Sequence, residues 1–322
     1  MKTKKDKKFQ TTKYCSVCEN YYSSYFYPVK FGAIDIGTNA ARLLVGEVEK
    51  VSGHSFVKKI SYTRVPLRLG EEVFEDGKIS KKKTEDFIKT IQAFKLISEI
   101  FEVKQLRAVA TSAMREASNA KKVIEKIKDE TGVEVEVISG DEEAELIFGT
   151  FFLLDFDKTM PFIVIDVGGG STEVSVFESG ERVASRSFEI GTLRLLKEKV
   201  KSDIWSEIHN WIAKHVDLKS PHQIYGTGGN INKVHKLLGA GHLESLSLKD
   251  MKVLRDELDS MSIEERVDVY QLKPDRADVI VPALNIYIYI LEELKSKKII
   301  VPKIGLSDGM VYQMHKLSSR VR

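Results

Sequence analysis

Residues 162–178 read Phe162-Ile-Val-Ile-Asp166-Val-Gly168-Gly169-Gly170-Ser171-Thr172-Glu173-Val-Ser-Val-Phe-Glu178. An apolar run carrying one acid near its end has the composition of a buried strand, and the glycines after it form a turn. From Glu173 the sequence alternates with period two, so the turn leads into a second strand and not into a helix. That spacing excludes a dinucleotide-binding fold, whose G-x-G-x-x-G glycines open a helix, and no G-x-x-x-x-G-K-[ST] phosphate loop occurs in the chain. Glycine permits positive φ and close backbone approach, so the amides of such a turn can converge on an anion.

The same grammar occurs earlier. Phe31-Gly-Ala-Ile-Asp35-Ile is an apolar run with an acid in the same place, Gly37-Thr38-Asn39 is the turn, and Arg42-Leu-Leu-Val-Gly-Glu-Val is the second strand. At an offset of 131 residues Asp35 falls on Asp166, Asn39 on Gly170 and Arg42 on Glu173, which points to a duplicated unit. A third strand-to-glycine turn follows at Gln223-Ile-Tyr-Gly226-Thr-Gly228-Gly229-Asn230. Around these units the periodicity predicts helices over 80–100, 120–131 and from about 141, strands over 106–110 and 133–138, mostly helix from 246 to 296, and a short last helix after Gly305-Leu-Ser-Asp308-Gly309. Ser139 and Glu142 have the spacing of a capping box at the start of the 141 helix. Asp35 and Asp166 sit where burial is unfavourable unless the carboxylate is paired or holds a metal. Carboxylates and waters bind a hard divalent cation that bridges phosphate oxygens.

Composition bounds the rest. The chain has 322 residues, 42% hydrophobic and 30% charged, a globular balance large enough for two domains. No apolar run approaches the ~18 residues of a membrane span. Two cysteines cannot staple a secreted scaffold, and the lysine-rich start lacks an apolar signal region, so a soluble cytoplasmic protein is expected. Residues 1–30 carry seven lysines against two acids, so of the net +3 the remaining 292 residues hold −2. The body is therefore not a generic nucleic-acid binder. Residues 1–29, with five tyrosines and Cys15-x-x-Cys18, read as a flexible leader outside the folded body. One C-x-x-C supplies only two metal ligands, with no histidine nearby to complete a site.

The three turns together resemble the phosphate and nucleotide loops of the actin/Hsp70/sugar-kinase superfamily. Three further segments narrow the resemblance: Ala110-Thr-Ser-Ala-Met-Arg115-Glu-Ala-Ser-Asn119, Ile138-Ser-Gly-Asp-Glu142-Glu143-Ala and Gly305-Leu-Ser-Asp308-Gly309. With them, residues 30–322 look like a short, two-domain form of the exopolyphosphatase / guanosine pentaphosphate phosphohydrolase (Ppx/GppA) family. The resemblance implies an α/β fold of two actin-like, ribonuclease H-like lobes with a cleft between them. We divide the body into lobe I, residues 30–139 with 303–322, and lobe II, residues 140–302. By similarity Glu143 is the general base for water, and Asp166 and Glu173 are essential and hold Mg²⁺ or another divalent cation; the acid in the first apolar run makes Asp35 a further candidate ligand. Similarity also places substrate phosphate on Gly37, Thr38, Asn39, Arg115 and Gly168, Gly169, Gly170, Ser171 and Thr172, and more weakly on Gly226, Gly228 and Gly229. The physical reading agrees for Glu143, whose place in a first helical turn favours an ionised carboxylate.

The resemblance thus implies a hydrolase releasing terminal phosphate from inorganic polyphosphate. The alternatives are a guanosine pentaphosphate 5'-phosphohydrolase, or a non-catalytic regulator binding polyphosphate or an alarmone. No nucleic acid or membrane partner is expected, and a homodimer is left open. The sequence departs from the family pattern at Ala40 and Ala41 after the first turn, at Glu145 where many members carry arginine, and in the Asn230-Ile-Asn232-Lys233 continuation of the third. About 290 body residues match a two-lobe core, which favours shorter polyanions. A body of −2 has no bulk field for a polyanion, so affinity is expected from the loops, the metal and Arg115, with the leader lysines as helpers.

Overall fold

The computed structural model describes residues 29–51, 54–151, 153–154, 159–241 and 243–320. The leader with Cys15 and Cys18 lies outside the described residues. The first sheet has the order β3-β2-β1-β4-β5, from β1 (Lys30–Ile36), β2 (Ala41–Val51), β3 (His54–Val65), β4 (Gln105–Ala110) and β5 (Val135–Val137). Its helices are α1 (Leu69–Asp76), α2 (Lys81–Ile100), α3 (Ser112–Glu116) and α4 (Ala120–Thr131), followed by α5 (Gly140–Phe151). The second half continues with β6 (Phe162–Val167), β7 (Thr172–Glu178), β8 (Glu181–Phe188), α6 (Thr192–Leu196), α7 (Ile204–His215), β9 (Gln223–Thr227) and α8 (Gly229–Leu237). It ends with β10 (Ser245–Ser247), α9 (Leu248–Asp259), α10 (Ile263–Tyr270), α11 (Pro274–Ala277), α12 (Ile280–Glu293), β11 (Lys298–Ile300) and α13 (Leu306–Arg320). The second sheet runs β10-β11-β9-β6-β7-β8. Each sheet holds an antiparallel three-strand meander whose first strand pairs in parallel with a later one, β1 with β4 and β6 with β9. The duplicated unit read from the sequence is thus repeated in topology, with α/β layers around both copies.

Strand alternation decides where the acids point. On β1, Phe31 and Ala33 face the layer between the sheets, while Ile34 and Ile36 face an outer core covered by α2 and α4. On β6, Phe162 and Val164 face the same middle layer, while Ile163 and Ile165 join an outer core with α7, α9 and α12. Period two then puts Asp35, Asp166 and Glu173 on the inner faces, at the strand ends. The middle layer is α5 with α13, through Leu146, Ile147 and Phe151 and through Met310, Val311 and Met314. These two helices cross closely: a Cβ at Gly309 would lie 2.0 Å from the Leu146 carbonyl oxygen. The last helix is not short; it spans 15 residues. Among the described residues no helix is long and apolar enough to cross a membrane.

Four strands and several helices have no counterpart in the sequence reading, chief among them β3 and β8, the outer strands of the two meanders. Neither carries the alternation of a half-buried strand. None of the described side chains of β3 is buried, and on β8 only Phe188 is.

Candidate active site

The two turns at the ends of the duplicated hairpins are built alike. Gly37 N–H donates to Ala40 O at 3.1 Å, and Gly168 N–H donates to Ser171 O at 2.9 Å. They pack directly on one another. A Cβ at Gly170 would lie 2.3 Å from Ser112 Oγ and 3.0 Å from Thr38 Oγ1. Close approach, and not positive φ, is what requires glycine there, for none of the turn glycines from 168 to 170 has positive φ. Arg194 holds the second turn from behind: its Nε donates to Gly170 O at 2.8 Å, its guanidinium pairs with Glu116, and it lies over the Phe74 ring. No sequence signal marked Arg194.

Cross-strand register places Arg42 opposite Asp35, and Glu173 opposite Asp166. Arg42 Nη1 sits 2.6 Å from Asp35 Oδ2. Burial works against the Arg42 charge, yet Asp35 and Tyr62 hold its pKa above the ordinary value. Asp35 is therefore an ion-paired residue and stands apart from the acidic cluster. That cluster is Glu143, Asp166 and Glu173, each with a carboxylate oxygen within 4.8 Å of the others.

Glu143 is delivered to the cluster by the start of α5. Ser139 N–H donates to Glu142 Oε2 at 2.9 Å and Glu142 N–H to Ser139 Oγ at 3.1 Å, the reciprocal capping box expected from the sequence. Capping holds Glu142 outward, where those bonds lower its pKa, and turns Glu143 inward. Arg115 on α3 ties Glu143 down: it donates to Ile138 O at 2.8 Å and to Glu143 Oε2 at 3.3 Å, with Ser171 Oγ at 3.5 Å. Glu173 accepts from Ser187 Oγ at 2.7 Å.

The electrostatics depart from the helix-terminus expectation. Burial first, and the Glu173 charge second, push the Glu143 carboxyl well above its ordinary value, with Arg115 pulling the other way. Burial and Asp166 raise Glu173 to about 7, and burial raises Asp166 to about 6. First-turn amides do not outweigh a desolvated pair of carboxylates. Asp166 Oδ1 is buried without a hydrogen-bond partner. Three converging carboxylates with an orphaned oxygen are a donor set for a hard divalent cation, and the residues fit such an ion.

The cluster stands beside a cleft of about 760 Å³. Asp35, Gly37, Thr38, Asn39, Glu143 and Asp166 line it, as do the turn from Gly168 to Ser171 and Gly228 with Gly229. Four expected residues do not. Arg115 stands behind Glu143, and Glu173 lines a small cavity behind the cluster with Ser175 and Phe177. Thr172 is fully buried with its hydroxyl on Ile190 O, and Gly226 faces Ile299 within the sheet.

The cleft walls hold cations that the sequence reading missed. Lys59 and Arg64 come from β3, Lys233 and Lys236 from α8, Arg276 from α11, and Lys303 from the segment before α13. With Arg42 they make seven basic side chains around one cleft. They perturb each other: burial, then Arg64 and Arg42, lower Arg276 to about 10, and burial, Lys236 and Arg276 lower Lys233. Only the i, i+3 spacing of Lys233 and Lys236 after the third turn was a local signal. Across the cleft, Arg64 pairs with Asp275 at 2.5 Å and Arg68 with Asp278 at 2.6 Å, and Asn39 Nδ2 donates to Asp275 O at 3.2 Å. Asp308, buried at the start of α13, accepts from Lys59 Nζ at 3.0 Å and from Gly305 N–H at 3.1 Å.

Comparison with known proteins agrees with this geometry. The sequence profile of the Ppx/GppA phosphatase family matches residues 48–318. Exopolyphosphatase 1 of Mycobacterium tuberculosis is 26% identical over 311 residues, covering 90% of this chain and 89% of that protein. The guanosine-5'-triphosphate,3'-diphosphate pyrophosphatase of Photobacterium profundum is 26% identical over 300 residues, covering 88% of this chain and 59% of that protein. Among solved structures, an exopolyphosphatase from Cytophaga hutchinsonii superposes with a TM-score of 0.74 at 27% identity, covering 88% of this chain and 97% of that one. The chain belongs to the Ppx/GppA phosphatase family of phosphoanhydride hydrolases.

Proposed function

We propose that this protein releases the terminal phosphate from inorganic polyphosphate, with Glu143 as the general base. One observation carries the reading: a cleft walled by seven basic side chains ends at a cluster of three carboxylates. Burial first, and neighbouring cations second, lower the pKa of Arg276 and Lys233, so a polyanion lying against these two relieves a repulsion they bear when alone. The position of the cations also revises the expected source of affinity. Arg115 orients Glu143 and Ser171, and the rails from β3, α8 and α11 hold the phosphate chain.

The two turns present backbone amides and the Thr38, Asn39 and Ser171 side chains to the terminal phosphate. A water between that phosphate and Glu143 gives its proton to the carboxylate as its oxygen bonds to phosphorus, and the bridging P–O bond breaks with its electron pair leaving on the shortened chain. The raised pKa of the Glu143 carboxyl makes its ionised form a stronger base than an ordinary carboxylate. Asp166 and Glu173 would hold Mg²⁺, which supplies charge neutralisation at the phosphate oxygens. In this reading residues 30–139 with 303–322 form one lobe and 140–302 the other, and the Arg64–Asp275 and Arg68–Asp278 pairs clasp them around the substrate.

The same cleft would also accept guanosine pentaphosphate. Phosphate release from polyphosphates of graded length, guanosine pentaphosphate and ATP, with and without Mg²⁺, separates the substrates. The expected outcome is release from polyphosphate, reduced about 10²–10⁴-fold in Glu143→Gln. Undiminished release by that variant would refute the assignment of the base, and tight binding of polyphosphate without turnover would favour a regulator.

A further inference from the structure

Among the described residues the largest fully buried side chain is Tyr287, in the middle of α12. A phenol in an apolar core needs partners for its hydroxyl, and Tyr287 finds both on the strand ends that carry the site. Val167 N–H donates to the hydroxyl at 3.3 Å, and the hydroxyl donates to Thr227 O. Asp166 and Thr227 are the last paired residues of β6 and β9. The hydroxyl therefore bridges the two strands one step beyond their ladder, where Val167 follows Asp166 and Gly228 follows Thr227.

That bridge sets the space in which the Asp166 carboxylate lies. Gly228 has φ +106, and a Cβ on it would stand 2.8 Å from Asp166 Oδ1, 3.1 Å from Val167 O and 3.8 Å from the Tyr287 hydroxyl. Asp166 Oδ1 thus occupies the room left by the missing Gly228 side chain, and the width of that room depends on how far apart β6 and β9 end. Without the hydroxyl, Val167 N–H and Thr227 O lose the group that bridges them, and strand ends that draw together to pair move the wall beside Asp166.

From this geometry we infer that Tyr287 is a positioning residue: its hydroxyl spaces β6 from β9 so that Asp166 converges with Glu143 and Glu173 as a divalent-cation ligand. The inference rests on the hydrolase reading only for its kinetic arm.

The test compares Tyr287→Phe with Tyr289→Phe in the full chain. Tyr289 lies on the same helix and donates to Trp205 O at 2.8 Å, on the side away from the cleft, so the control removes a similar bond. Mn²⁺ affinity is measured by calorimetry without substrate, alongside thermal unfolding and steady-state phosphate release. Tyr287→Phe is expected to weaken Mn²⁺ binding about tenfold, as loss of one net hydrogen bond's worth of positioning would do. It should lower kcat about tenfold with KM within about twofold. Tyr289→Phe should lose similar thermal stability while keeping Mn²⁺ affinity and kcat. Wild-type Mn²⁺ affinity in Tyr287→Phe would overturn the inference, as would failure of the wild-type protein to bind Mn²⁺. If no variant hydrolyses polyphosphate, the functional reading fails and the Mn²⁺ comparison still decides the role of Tyr287.

Discussion

Without a cation, the carboxylate cluster makes the protein less stable as pH rises through the neutral range. The folded state raises Glu173 from 4.5 to about 7, through burial first and Asp166 second. A carboxyl with a raised folded pKa keeps its proton in the folded chain while the unfolded chain has already lost it. Between pH 4.5 and 7 the folded state binds more protons, so stability falls as pH rises. The penalty is absent below pH 4.5 and complete above about 7. At ~1.4 kcal/mol per pKa unit it amounts to about 3 kcal/mol. Asp166, raised to about 6 by burial, acts in the same direction over a lower window, and because its charge contributes to the Glu173 shift the two penalties overlap. At roughly 2 °C per kcal/mol for a chain of this size, Glu173 alone is worth about 6 °C. Calorimetric scans of wild type and Glu173→Gln in EDTA from pH 4.5 to 8 isolate the effect, since glutamine does not titrate. Wild type should lose ground to the variant by about 6 °C across that window, and saturating Mg²⁺ should restore most of it. A difference that stays flat, or that favours wild type as pH rises, would refute the coupling between burial and charge in this cluster.

Two further perturbations address the cleft and the helix crossing. Arg276→Gln removes a half-buried cation lowered to about 10 by burial first and by Arg64 and Arg42 second; KM for polyphosphate should rise about tenfold or more, with less dependence on salt and little change in kcat, measured by phosphate release at several ionic strengths. Gly309→Ala drives a methyl to 2.0 Å from the Leu146 carbonyl oxygen; overpacking at ~1–3 kcal/mol outweighs the gain in helix propensity, so the unfolding temperature should fall by a few degrees, and kcat should fall with it because α5 carries Glu143.

What the sequence disclosed followed from where each feature was written. The hairpins at Asp35 and Asp166, the capping box at Ser139 and Glu142, and the helices with apolar stripes are local patterns, readable within about 20 residues. The outer strands β3 and β8 escaped because an edge strand need not alternate: Lys58-Lys59 and Thr63-Arg64 break the period on β3, and Ser185-Arg186-Ser187 breaks it on β8. Missing β3 meant missing Lys59 and Arg64, and with them the positive wall. A net charge of −2 for the body concealed that wall, since charge is a sum and the cleft is a place. The partners of Arg115 lie beyond local reach for the same reason: its motif places it near phosphate, and only the fold shows its guanidinium bonded to Ile138 O and Glu143, with Ser171 Oγ at 3.5 Å.

The duplication explains why the carboxylate cluster gathers on one copy only. Both copies have the same turn, closed by the same backbone bond, and the same acid at the end of the first strand. They differ at the residue facing that acid. In the first copy Arg42 answers Asp35 at 2.6 Å, and the buried charge is neutralised within the protein. In the second, Glu173 stands opposite Asp166, and α5 brings Glu143 to the same point. Two facing acids are unfavourable where an acid and a base are not. A pair of like charges in a buried place must take up protons or a cation. Arginine at one position of the repeat therefore makes an ion-paired unit, and glutamate at the equivalent position makes a candidate cation site. A reciprocal exchange tests this. Glu173→Arg should stabilise the cation-free protein near neutral pH and abolish Mn²⁺ binding, because its guanidinium would answer Asp166 as Arg42 answers Asp35. Retention of Mn²⁺ affinity in that variant would show that the asymmetry between the copies does not create the site.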